Sequence, residues 1–161
     1  MNRNDRDASL KEKLKQALTS TFKVISDELN VDYKLDKNKS SKKFDFFEID
    51  NLNSKSDFTR VRAESDSSAL KIKFSNEQIY KKNLPSNSSH KSLYATAEKI
   101  RCETLGGKML KGIKKNFTEN YQQIINFKRK DQLKTKDDVS VNEAFELYML
   151  KKFHDIKLNS L

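Results

Sequence analysis

Apolar residues recur at three- and four-residue steps over most of the chain, and the breaks between these stripes set out its elements. Leu10, Leu14, Ala17, Leu18, Phe22, Ile25 and Leu29 lie on one stripe, with Ser9 placed to cap it. This spacing predicts a helix over 8–29 with a lysine-rich outer face. Phe58, Val61, Ser65, Ala69 and Ile72, with Leu70 and Phe74 beside them, predict a second helix over 57–82. Asp57 would cap it, and Pro85 with "SNSS" would stop it. Leu93, Ala97, Ile100 and Thr104, widened by Tyr94 and Leu105, predict a third over 88–105. Gly106 and Gly107 follow, where a glycine can take the left-handed conformation that closes a helix. Met109, Ile113, Phe117, Tyr121 and Ile124 predict a fourth over 108–126. Val141, Ala144, Phe145, Tyr148, Met149 and Phe153 predict a last one over 140–155.

Two stretches do not follow the helical period. "VDYKL" (31–35) alternates apolar with polar and suits a short strand. "FDFFEID" after it reads either as a strand or as an extended segment that inserts its aromatics into the core. "DKNKSSKK", "NLNSKSD" and the charged "KRKDQLKTKDD" (128–138) read as loops and a linker. The expected fold class is mainly α: about five helices in one compact domain, with a small β element near 31–50.

Composition agrees with this. The 161 residues suit one domain, and only three glycines and one proline leave few turns. A 35% hydrophobic content beside 35% charged residues gives a thin core under a highly charged surface. The net charge of +10 raises nucleic acid or another anionic surface as partner. A Lys-, Asn- and Ser-rich composition from an AT-rich coding sequence gives the same excess with no partner at all. Ten of the lysines and arginines but only three acids fall between residues 101 and 136, so most of the excess sits on the fourth helix and the linker. One cysteine, Cys102, excludes an internal disulfide and points to a reducing compartment. The polar start "MNRNDRDASLKEK" lacks a secretory apolar region, and no apolar run is long enough to span a bilayer. The expectation is a cytoplasmic protein without a membrane partner.

The chemistry on offer is sparse. "LGGKML" lacks the spacing of a phosphate loop and has Met109 where serine or threonine is needed. Gly106 and Gly107 read instead as the corner between two helices. Cys102, His90 and His154 do not stand at metal-ligand spacing, so they read as surface histidines and a half-buried thiol. No local histidine would activate Cys102. Glu98 and Arg101, three apart, share a helix face and can pair, either as a solvated pair or within a cluster that positions a partner. Lys108, Lys111, Lys114 and Lys115 fan over a basic face that can meet phosphates, an acidic protein segment or water. No aromatic platform interleaves with them, because Phe117 and Tyr121 fall on the inner stripe.

Two blocks carry a family resemblance. "RVRAESDSSALKIKFSNEQIYKKNLP" and "AEKIRCETLGGKMLKGIKKNF" resemble the N-terminal region of CobT, a subunit of aerobic, ATP-dependent cobaltochelatase. Arg62, Asp66, Ala69 and Leu70 match the first block of that pattern and Pro85 its middle. Glu98, Arg101, Glu103, Leu105, Gly106, Met109, Gly112 and Asn116 match the last. The opening "LKQALTSTFKVISDELNVDY" and the closing "SVNEAFELYMLKKFHDIKL" resemble the two ends of the region, so the likeness covers nearly the whole chain. Ala63 departs from the usual glycine, and Ser75 and Tyr80 stand in the block where the family often has two histidines.

The resemblance implies a non-catalytic subunit that works with an AAA+ ATPase, CobS. The pair would drive the large subunit, CobN, to insert cobalt into hydrogenobyrinic acid a,c-diamide. ATP, magnesium and cobalt would belong to those partners, leaving no cofactor on this chain. Full-length CobT subunits continue into a von Willebrand factor A domain with an Asp-x-Ser-x-Ser metal motif. Nothing like it occurs here, so the expectation is the N-terminal domain alone. Arg62, Asp66, Glu98, Arg101, Glu103 and Asn116 are expected to form an internal or interfacial network, since buried charges must be paired. A small basic nucleic-acid-binding module is the alternative reading.

Overall fold

Helix ends in this protein are set by side-chain caps and tertiary contacts rather than by its glycines. A computed structural model describes residues 3–28, 52, 54–131 and 139–158, and every regular element among them is a helix. In chain order these are α1 (Arg3–Ser26), α2 (Lys55–Phe74), α3 (Glu77–Lys82), α4 (Ser88–Met109), α5 (Lys111–Asp131) and α6 (Val141–Phe153). The mainly α expectation holds. The β element expected near 31–50 lies outside the described residues.

Several boundaries differ from the sequence reading, each for a physical reason. α1 already includes Ser9, and it stops at Ser26 because Asp27 turns left-handed (φ 59°). Aspartate is one of the few non-glycine residues that tolerate this region. α2 begins earlier than Asp57. Ser54 is its cap, and Asp57 is the return arm of a capping box: Ser54 Oγ accepts from the Asp57 N–H at 3.2 Å, and the Ser54 N–H donates to Asp57 Oδ2 at 2.9 Å. The helix expected over 57–82 is two helices. Ser75 is extended, and Asn76 caps α3 by accepting from the Ile79 N–H at 3.0 Å.

Gly106 and Gly107 are not a corner. Both lie inside α4, neither has a positive φ, and the chain turns instead at Leu110 (φ −131°, ψ 108°). The glycines serve packing. A Cβ on Gly106 would overlap the side chain of buried Leu70, and one on Gly107 would come within 3.3 Å of Lys114 Cβ. Their absent side chains let α4 lie close against α2 on one side and α5 on the other.

α2, α4 and α5 pack on one another, α1 lies against α2, and α6 lies against α4. Phe22, Ala69, Leu70, Ile100, Cys102, Ile113, Phe117, Tyr121 and Leu150 meet in the main core. Leu18, Leu52 and Val61 form a smaller one between α1 and α2. On α5 the buried stripe runs through Ile125 rather than Ile124. On α6 the buried helical residue is Leu150, while Val141, Tyr148 and Phe153 are exposed.

The glycines make opposite predictions. Gly106→Ala is expected to destabilise by about 1–3 kcal/mol through overpacking, outweighing a helix-propensity gain of up to about 1 kcal/mol. Gly112 has open space where a Cβ would stand, so Gly112→Ala should stabilise by about 0.5–1 kcal/mol. Urea midpoints of the two variants check this. A midpoint raised by Gly106→Ala would contradict the close approach of α4 and Leu70.

Candidate functional site

Of the polar residues expected to form one network, Asp66, Glu98, Arg101, Glu103 and Asn116 fall into three clusters bonded within the chain, and exposed Arg62 lends only its charge to one of them. The deepest is centred on Glu103 of α4, only 1% exposed. Glu103 accepts from Ser67 Oγ of α2 at 2.6 Å and from the Tyr121 hydroxyl of α5 at 2.7 Å. His154, just past α6 and also 1% exposed, sets its Nε2 3.5 Å from the second carboxylate oxygen. That nitrogen lacks a hydrogen bond of good geometry among the described residues. The imidazole lies against Phe117 edge-on and beside Tyr121, with ring centroids 5.7 and 5.5 Å away. Lys99 reaches over the other part of the cluster, its Nζ 5.3 Å from the Tyr121 ring centre.

Burial governs protonation here. It pushes the Glu103 carboxyl up, partly offset by Lys99 and by the Ser67 and Tyr121 hydrogen bonds. It also pushes the Tyr121 hydroxyl up, with Glu103 adding to the effect, so Tyr121 stays a donor. His154 is lowered to about 4, first by burial and then by Lys114 and Lys99. The imidazole is therefore neutral at pH 7, and its contact with Glu103 is not an ion pair.

The second cluster joins α2 to α5. Asn116 Nδ2 donates to Asp66 Oδ2 at 2.8 Å. Asp66 is buried, which raises its carboxyl, while Asn116 and the charge of exposed Arg62 pull it back. The third cluster closes the end of α2. Arg101 forks onto Glu98, Nε to Oε2 at 2.7 Å and Nη2 to Oε1 at 2.9 Å, and Nη2 also donates to the Phe74 carbonyl at 2.8 Å. Arg101 holds the Glu98 carboxyl below its usual range, and Glu98 in turn raises the guanidinium. The bond to Phe74 satisfies a C-terminal carbonyl of α2 and is one reason that helix stops at 74.

Cys102 is buried rather than half-buried, and burial with nearby Glu98 pushes its thiol up to about 11. A thiol so masked is a poor nucleophile. His154 is likewise not the surface histidine expected from its spacing. Among the described residues no three His, Cys, Asp or Glu side chains converge as metal ligands. The four lysines of the basic face are all exposed, but they are not equivalent. Lys114 bonds Asp155 at 2.8 Å and Lys115 lies 3.7 Å from Glu119, whereas Lys108 and Lys111 pair with no carboxylate among the described residues.

Sequence reasoning missed Ser67, Tyr121 and His154. Tyr121 was assigned only to the apolar stripe. Ser67 had no signal beyond its place beside Asp66. His154 had one: a lone histidine between Phe153 and Ile156 in a short apolar segment.

With these clusters in place, comparison with known proteins becomes informative. The family model for cobalamin biosynthesis protein CobT matches residues 8–158. The chain belongs to the CobT family. That membership gives it a role in cobalamin biosynthesis. No curated protein and no solved structure matches the chain. Where the CobT pattern often has glycine, Ala63 is buried at 2% exposure in the main core. Of the two residues in the block where CobT proteins often carry histidine, Ser75 hydrogen-bonds Glu98 at the end of α2, and Tyr80 stacks on Tyr94 at 4.9 Å. Among the described residues no helix is long and apolar enough to cross a membrane.

The state of His154 predicts acid sensitivity. An unfolded imidazole titrates near 6.5 and the folded one at about 4, so between these values the unfolded chain binds more protons. Stability conferred by the neutral imidazole is complete above 6.5 and is lost as pH falls towards 4, at roughly 1.4 kcal/mol per unit. Glu103 acts in the opposite sense, since its raised carboxyl favours folding as pH falls. Comparing wild type with His154→Gln separates the two. The variant should lose less stability between pH 6.5 and 4 in urea titrations. Equal losses would show that the imidazole is not held neutral.

Proposed function

We propose that the chain is a non-catalytic assembly domain of an aerobic, ATP-dependent cobaltochelatase. In this reading it couples an AAA+ ATPase subunit of the CobS kind to a large CobN-like subunit that inserts cobalt into hydrogenobyrinic acid a,c-diamide. The observation that carries the proposal is the CobT family match across residues 8–158. The chemistry of the clusters supports it. Glu98 and Arg101 are committed to each other and to the backbone, Asp66 to Asn116 and Glu103 to Ser67 and Tyr121, and the thiol of Cys102 is masked. Groups so engaged build a rigid scaffold and leave little for acid–base or nucleophilic work. ATP, magnesium and the cobalt substrate then belong to the partner subunits.

Co-expression with the ATPase and large subunits of the same host tests this. The chain is expected to co-elute with the ATPase subunit in size-exclusion chromatography. Cobalt insertion by the reconstituted complex should depend on the chain. Separate elution, together with insertion that is unchanged by the chain, would overturn the proposal.

A further inference from the structure

The tip of the α4–α5 hairpin differs from the rest of the basic face. Met109 is 57% exposed and Leu110 48%, side by side at the turn. Lys108 precedes them and Lys111 follows, both exposed and neither paired with a carboxylate among the described residues. Lys115, one turn beyond Lys111 on α5, extends the positive edge, its exposed ammonium only loosely paired with Glu119 at 3.7 Å. No acidic residue falls between Gly106 and Asn116. Lys114 is excluded from this surface, because Asp155 already holds it. Gly112, just past the turn, has open space where a Cβ would stand.

We infer that this tip, Lys108-Met109-Leu110-Lys111 with Lys115, is a docking surface for an acidic, leucine-bearing helical segment of a protein partner. Charge complementarity selects the class. Three lysines in one small area favour carboxylates, and two exposed apolar side chains between them favour a partner that buries apolar area. A phosphate backbone meets the first requirement and not the second; Phe117 and Tyr121 of α5 are buried, and its exposed ring, Phe127, stands near the far end of the helix from this tip. The inference rests on the assembly reading for the identity of the partner, the ATPase subunit, but not for the chemistry of the surface. None of the tip side chains reaches the core, so changing them tests contact rather than folding.

The probe is a fluorescent amphipathic peptide with glutamates on one face and leucines on the other, titrated with the full chain by anisotropy. The same peptide with lysine for glutamate and a labelled DNA duplex serve as controls. Lys108→Glu with Lys111→Glu, and separately Met109→Ser with Leu110→Ser, should each weaken peptide binding by about tenfold or more. Lys151→Glu with Lys152→Glu, an equal charge change on α6, should not. The inference is overturned if the duplex binds as tightly as the peptide, if the serine pair binds like wild type, or if the α6 pair weakens binding equally. The purified ATPase subunit forms the second arm. If it binds wild type and the tip variants alike, the docking surface fails and the assembly reading stands. If it does not bind wild type while the peptide behaves as expected, the assembly reading fails and the docking surface stands.

Discussion

Burying one carboxylate ties three helices of this domain to one register. Glu103 is almost fully removed from water, and an isolated charge there would be prohibitive. It is tolerable because Ser67 and Tyr121 supply hydroxyl donors from two other helices and Lys99 lends nearby charge. Those donors exist only when α2, α4 and α5 are correctly registered. The constraint then extends outward: His154 must approach neutral, Phe117 must flank it, and Gly106 must leave room for Leu70. Losing one partner of such a group costs more than the hydrogen bond itself, because the remaining charge stays buried.

The other two clusters apply the same rule with less burial. Asp66 with Asn116 fixes α2 to α5 fifty residues further along the chain. Arg101 fixes α4 to the last carbonyl of α2, which it satisfies where the helix ends. In a domain with a thin apolar core, directional polar contacts can specify register that apolar packing alone leaves loose. The same engagement ties up these groups, whereas Lys108 and Lys111 at the hairpin tip pair with no carboxylate among the described residues.

How much of this was legible in the sequence depended on how local the cause is. The stripes through Phe22, Ile25, Ile113, Phe117 and Tyr121 were readable because helical period alone places them inward. The break at Ser75 was not, because it depends partly on Arg101 from a helix that comes later. The glycines were misread for the same reason: a flexible residue signals a turn locally, but here its missing side chain answers Leu70 across the interface. On α6, apolar residues occur on several sides, so period could not choose the buried one. The pairing of Glu98 with Arg101 was visible from spacing, whereas Ser67 and His154 met Glu103 only through the tertiary fold.

The way α6 is held has its own consequence. Within the helix only Leu150 is buried, yet His154 and Ile156, both beyond its end, are buried as deeply. Asp155 between them turns left-handed and reaches Lys114. The helix is therefore fastened by its trailing segment as well as by its flank. Removing the few residues after Phe153 would cut away two core side chains and an inter-helix bond while sparing every helical turn. The boundary of the folding unit thus lies past the last helix, and a domain trimmed at the end of its secondary structure would lose the lock that closes it.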